Sequence, residues 1–218
     1  MSAAGAAPRM EFNGVWPTLL VSRRLPGFEQ PTAGLAAHIV EQEAREADYT
    51  ARYQDQSFFS SEHPAVRWLK DEIDQTTTAF LRHVGIERAL SWTLVGWYNT
   101  NRYGDHHAPH THPRAYLSGT YYLHVPPAPA SVDDPRARPA CISFYDPRTG
   151  ANMITVGPES DARAAHVVRP SAGTLLMWPS PVQHFVHPNL SEEQRVTISF
   201  NLMMDPNTST TQSGGLQK

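Results

Sequence analysis

RVTISFNLM, residues 195–203, alternates with period two: Val196, Ile198, Phe200 and Leu202 are apolar, while Arg195, Thr197, Ser199 and Asn201 are polar. Successive side chains of a strand point to opposite sides, so this segment has one dry face and one face of Arg, Thr, Ser and Asn. An inner face of that composition lines a wet cavity. A strand of this kind fits a β-sandwich or barrel with a polar mouth and with helices on its outside.

Working back along the chain, short runs rich in Val, Thr, Ile, Tyr, Phe and Trp recur between Pro, Gly and Asp turns. They predict strands at 91–100, 117–125, 141–145, 165–169 and 174–178, with 194–203 the last. Ahead of them the period changes to that of a helix. Val66, Leu69, Ile73, Phe80, Leu81 and Val84 fall at three- to four-residue spacing and predict a helix over 64–84, with Pro64 suited to its first position. Leu35, Ile39 and Val40 mark another over 32–49. The expected organisation is a single domain over 11–204, with helical support at about 29–84 and a β core at about 90–203. Segments 1–10 and 205–218 are polar and rich in small residues, and are expected to be flexible. The Pro-rich stretch 126–140 reads as a flexible excursion or a lid.

Composition removes several classes of function. The 218 residues carry 18 Lys plus Arg against 21 Asp plus Glu, a net charge of −3, without a basic cluster, which argues against nucleic acid as a partner. No apolar run reaches the ~18 residues of a membrane span. The start, MSAAGAAPRMEF, lacks the apolar centre of a secretory signal, and Cys141 is the single cysteine, so a cytoplasmic chain without disulfides is expected.

Histidine stands out, with 11 in the chain and five between His106 and His124. In GDHHAPHTHP (104–113), His110 and His112 are at i and i+2, which on a strand turns both imidazoles to one face and toward a common metal. His184, in PSPVQHFVHPN (179–189), lies just beyond a predicted strand and would complete a three-ligand facial set with open positions, as a non-haem iron site requires. His106, His107, His124, His166 and His187 read as surface or hydrogen-bonded residues, and His38, His63 and His83 as surface or packing residues in or beside the helices. Arg195 follows His184 by eleven residues on the polar face of the last strand. A guanidinium inside a barrel needs a carboxylate to grip, either that of a ligand or that of Asp105 or Asp146.

Taken in order, WYNTNRYGDHHAPHTHP (97–113), LSGTYYLHVP (117–126), ISFYDPR (142–148), PSAGTLLMWPSPVQHFVHPN (170–189) and RVTISFN (195–201) resemble the 2-oxoglutarate- and Fe(II)-dependent oxygenase superfamily. Within it they are similar to a small oxygenase family with an HxHP signature. The resemblance spans about residues 90–203. It implies a mainly β fold with flanking helices, the double-stranded β-helix (jelly-roll or cupin-like). It implies iron on His110, His112 and His184, and Arg195 on the far carboxylate of 2-oxoglutarate. Tyr122, which shares parity with His112 on an unbroken strand, is a second co-substrate contact, and Thr197 and Ser199 on the Arg195 face are others. Asn99 and Asn101 either line the site or serve as polar turn residues. The superfamily's usual first motif is His-x-Asp/Glu, whereas this chain has His110-Thr111-His112. Three neutral imidazoles leave the iron its full +2 charge, to be offset by dianionic 2-oxoglutarate. Two other arrangements stay open: one of the pair does not bind, or Asp105 or His107 takes a place.

The implied reaction consumes O2 and 2-oxoglutarate and oxidises an unactivated C–H bond of a small, amino-acid-like substrate, releasing succinate and CO2. Hydroxylation is the default outcome, and desaturation or cyclisation would use the same residues. Arg102, Arg114 and Tyr116, with the 126–140 stretch, are expected around the mouth, where they would select the substrate; a peptide substrate stays open. The rivals are a three-histidine cupin-type dioxygenase that uses no 2-oxoglutarate, and a non-catalytic jelly-roll protein that binds a metal. Oligomeric state is not legible in the sequence.

Overall fold

Pro64 opens a helix at a position where its missing N–H costs nothing, and the His63 ring accepts the Ala65 N–H there, so the helical period of the sequence is realised as α2 (Pro64–His83). Its buried stripe includes Val66, Leu69, Ile73, Phe80 and Leu81. Arg82 and His83 close its last turn, where cations oppose the negative end of the helix dipole. Beside it runs α1 (Glu29–Arg45), which starts earlier than the predicted 32 because Pro31 is tolerated in a first turn. The computed structural model describes residues 17–45, 57–129, 137–148, 150 and 165–205. The predicted end of α1 at 49, the segment 1–10, the tail beyond Asp205 and residues 130–136 of the 126–140 stretch lie outside those residues.

The strands are β1 (Val21–Arg24), β2 (Trp92–Asn101), β3 (His107–His110), β4 (Leu117–His124), β5 (Ile142–Tyr145), β6 (Ala165–Val168), β7 (Thr174–Pro179), β8 (His184–Val186) and β9 (Arg195–Met204). They form a five-stranded sheet, β1-β7-β4-β9-β2, and a four-stranded sheet, β3-β8-β5-β6. Every pairing is antiparallel. Strands adjacent in sequence alternate between the sheets from β2 to β4 and from β7 to β9, the winding of a double-stranded β-helix. The short strands β3 and β8, of four and three residues, were not separable from loop by pattern.

Both helices cover the outer face of the larger sheet. Leu35, Ile39, Leu69 and Ile73 from the helices join Leu117, Tyr121, Leu123, Leu175, Met177, Ile198, Phe200 and Leu202 from the strands in one core. The packing is close enough that a Cβ on Gly119 would come within 2.2 Å of the Phe200 ring and 2.6 Å of the Leu176 carbonyl. A second, smaller cluster fills part of the inside: Tyr122, Ile142, Phe144, Leu176, Trp178 and Val182. The alternation of β9 therefore separates two environments, as its sequence predicts.

Candidate metal centre

β3 and β8 pair at the edge of the smaller sheet, with His110 directly opposite His184. His112 lies just past the end of β3, not on a strand as the i, i+2 argument supposes, and its N–H is held by the Ser180 carbonyl at 3.2 Å. The three rings still converge. Centroid separations are 4.2 Å for His110–His184 and 5.1 Å for each of the other two pairs. One nitrogen from each residue lies within 4.8 Å of the others, so a single cation is within reach of all three.

The donor set is prepared for a metal. His110 Nδ1 lies 2.7 Å from the Ala108 carbonyl and His184 Nδ1 lies 3.2 Å from the Val182 carbonyl. A carbonyl only accepts, so in each neutral ring Nδ1 carries the hydrogen and Nε2 keeps its lone pair for the metal. Backbone partners of this kind are the outer shell that fixes ring orientation at metal sites. Burial, reinforced by the neighbouring His110, lowers His112 to about 4 and His184 to about 3, so both rings are neutral at pH 7 and could serve as ligands. Neutral imidazole suits Fe, Zn, Cu and Ni, and the three leave part of the coordination sphere to exogenous ligands.

The cavity above the triad is lined by Trp97, His107, Thr120, Val186 and Ser199 as well as the three histidines. Asn99, completely buried, donates from Nδ2 to Thr197 Oγ1 at 3.2 Å and to Ser199 Oγ at 3.0 Å, and Thr120 reaches the same Ser199 hydroxyl at 3.3 Å. Arg195 is also completely buried, donating to the Asn101 amide oxygen at 2.9 Å and to the His187 carbonyl at 3.0 Å. Tyr122 stands near it. Burial holds its phenol above the ordinary value, and the Arg195 charge works in the opposite sense. Tyr122 reaches this place through its pairing with Thr197, since the chain between His112 and β4 turns, with Arg114 at a φ of 76°. Arg102 and Arg114 are exposed, as is Tyr116 at 39%. None of these three belongs to the cavity lining.

Two residues that the sequence reads as surface or hydrogen-bonded stand beside the site, and one of them, His107, is also the alternative ligand left open there. The His107 ring lines the cavity, lowered to about 4 by burial and then by the Arg195 charge. His187 supplies its carbonyl to Arg195, and its Nε2 lies 2.7 Å from the Ser143 hydroxyl. His107 and His110 share a side although three residues apart because the register shifts between them, a bulge that alternation cannot foresee. Trp178 was read only as part of a strand. Its ring meets His184 edge-on at 4.8 Å, and its buried indole N–H has no hydrogen-bond partner among the described residues. The buried Asn99 Oδ1 is likewise without one. A donor and an acceptor left unmet in the barrel fit an interior built around a polar ligand, because leaving such atoms unmet costs about 1–3 kcal/mol each.

A family model described as "Putative 2OG-Fe(II) oxygenase" matches residues 96–201, from β2 to β9. Among solved structures the chain is similar to a Pseudomonas putida prolyl-4-hydroxylase, with a TM-score of 0.59 and 16% identity over 86% of this chain and 94% of that one. It is similar to SnoK, a non-heme alpha ketoglutarate dependent carbocyclase from nogalamycin biosynthesis, with a TM-score of 0.56 and 14% identity over 86% and 80%. HygX from Streptomyces hygroscopicus, solved with nickel and 2-oxoglutarate bound, has a TM-score of 0.51 and 11% identity over 85% and 82%. At these identities the likeness is one of fold. No curated protein matches the chain. The match over residues 96–201, the double-stranded β-helix and the three converging imidazoles agree: the chain is similar to the 2OG-Fe(II) oxygenases, and that likeness implies an enzyme that uses Fe(II), 2-oxoglutarate and O2.

Proposed function

We propose that this enzyme hydroxylates an unactivated C–H bond of a small, amino-acid-like substrate and converts 2-oxoglutarate to succinate and CO2. The observation that carries the reading is Arg195, a fully buried guanidinium on the inner face of β9. Planar, bidentate capture of a carboxylate is the use to which such a group is best suited. Bound Fe(II) and 2-oxoglutarate supply the oxygen-dependent redox chemistry that side chains lack.

The chain's own residues bind and orient. His110, His112 and His184 hold the metal. Arg195, with the Tyr122 hydroxyl and Thr197 on neighbouring inner positions, holds the far carboxylate of the co-substrate. Ser199 offers its hydroxyl in the metal cavity, and Asn99 fixes it from behind. Phe144, Trp178 and Leu176 keep water from that side. Arg102 and Arg114 offer exposed cationic surface to a carboxylate-bearing substrate, beside the exposed ring of Tyr116.

An anaerobic Fe(II) titration of metal-free protein, with and without 2-oxoglutarate, tests the co-substrate assignment. A weak visible metal-to-ligand charge-transfer band is expected only with both present, and Arg195→Ala is expected to abolish it at co-substrate concentrations that saturate the native protein. Tight iron binding without a band would favour a three-histidine dioxygenase that dispenses with 2-oxoglutarate. Succinate formation and substrate hydroxylation are then measured by mass spectrometry over a panel of amino acids.

A further inference from the structure

Asn101 and Arg195 are direct partners in the β2–β9 ladder, so their side chains leave the sheet on the same face. Arg195 donates from Nη2 to Asn101 Oδ1 at 2.9 Å, with Asn101 only 3% exposed. A guanidinium has donors and no acceptor, so the amide oxygen must face it and the orientation of the amide is fixed. Nδ2 is thereby turned away from Arg195, and His107 Nε2 lies 3.4 Å from it. An amide nitrogen can only donate, so this ring nitrogen is the acceptor and His107 keeps its hydrogen on Nδ1.

The backbone explains how His107 returns to Asn101 after six residues. Asn189 Nδ2 donates to the Asn101 carbonyl at 3.0 Å. Asn189 also closes the intervening turn, accepting the Gly104 N–H at 2.7 Å and donating to the Asp105 carbonyl at 3.0 Å. Gly104 has a φ of 84°, the left-handed conformation that glycine enters without strain. The carboxylate of Asp105 accepts the Arg102 N–H at 2.8 Å within that turn. The turn thus delivers the His107 ring to the metal cavity.

We propose that Asn101 is a positioning residue, which aims Arg195 at the co-substrate carboxylate and ties that aim to the His107 ring in the metal cavity. The inference rests on the co-substrate reading of Arg195 given above. A neutral amide is the residue type for this task, because it holds the guanidinium in place while leaving its full charge for a ligand. An aspartate would hold it as well but would compete with the co-substrate for the same charge.

The test measures 2-oxoglutarate and Fe(II) dissociation constants anaerobically for the native protein, Asn101→Leu, Asn101→Asp and Arg195→Ala, with thermal unfolding of each metal-free form. Asn101→Leu is expected to weaken 2-oxoglutarate binding about tenfold, the lower end for a hydrogen bond to a charged group. Asn101→Asp is expected to weaken it further, about a hundredfold, although it keeps an acceptor against Arg195 and a stable fold. Fe(II) affinity is expected to stay within about threefold in both, less than the smallest loss seen on removing a metal site's outer-shell partner. A structural role predicts the opposite order, with Asn101→Asp close to native and Asn101→Leu losing iron, co-substrate and thermal stability together; that pattern overturns the proposal. Native-like 2-oxoglutarate binding in both Asn101 variants while Arg195→Ala loses it also overturns the proposal and leaves the co-substrate reading standing. Native-like binding in Arg195→Ala overturns both.

Discussion

Along β9, Ile198 and Arg195 are equally inaccessible, each 0% exposed, yet they stand in opposite environments. Ile198, Phe200 and Leu202 face the helices and pack among Leu35, Leu69 and Ile73. Arg195, Thr197 and Ser199 face the barrel interior, where their neighbours are Asn99, Asn101 and the triad cavity. Burial therefore does not distinguish the residues that hold the fold from those proposed to serve the chemistry; the kind of partner does. The dry face gains stability in proportion to the apolar area that it removes from water. The wet face holds polar groups whose desolvation is recovered only by well-made hydrogen bonds or by a ligand. The separation predicts that substitutions on the two sides fail in different measurements.

The largest effect is expected at the triad. His184→Ala removes one of the three proposed metal donors, the one held by the Val182 carbonyl. Losing an outer-shell partner alone costs about 10–100-fold in metal affinity, so losing this ligand is expected to cost more than about 100-fold. Anaerobic Fe(II) titration measures it, and circular dichroism checks that the fold persists. Unchanged iron affinity would mean that the triad is not the metal site.

Phe200→Ala examines the other side. The side chain is fully buried, and its ring would be the nearest contact of a Cβ on Gly119, so the surrounding backbone cannot collapse freely into the space left. The expected loss is about 3–5 kcal/mol in urea unfolding. Iron affinity of the folded fraction is expected to change less than about twofold, well below the effect of an outer-shell change. A large change in iron affinity would show that the two faces are energetically coupled across the sheet.

The same contrast governs what the sequence discloses. The outer face is legible because a regular strand and a regular helix repeat the same demand at each step, and α2 and β9 lie within a residue or two of their expected bounds. The His110, His112 and His184 set is legible by residue type, although His112 reaches the others from beyond a strand end. What escapes is irregular. β3 contains Pro109 and a register shift, so His107 turns to the cavity side against simple parity. His187 acts through its carbonyl, which any residue type could provide. For Asn101 the sequence leaves two readings, a residue lining the site or a polar turn residue, and only the β2–β9 register sets it opposite Arg195. Local pattern reports the dry face, whereas the wet face depends on contacts between residues as far as 100 positions apart.

A smaller effect, confined to the wet face, is expected with pH. Burial depresses His112 to about 4, His184 to about 3 and His107 to about 4, each from an ordinary 6.5. In the metal-free protein, acidification below about pH 6.5 protonates these histidines in the unfolded chain while the folded chain still excludes the protons. The unfolded state then binds more protons, so stability is greatest above that pH and falls as the pH drops toward 4. Urea unfolding of the metal-free protein at intervals between pH 7.5 and 4.5 should show this decline, and His184→Asn should flatten part of it. Phe200→Ala should lower the whole curve with little change in its slope, since the side chain removed does not titrate. Bound Fe(II) should steepen the decline, because protons then compete with the metal for the same nitrogens. A native curve that is flat from pH 7 to 5 would mean that the imidazoles accept protons in the folded state, and the interior would have to be wetter than the buried triad implies.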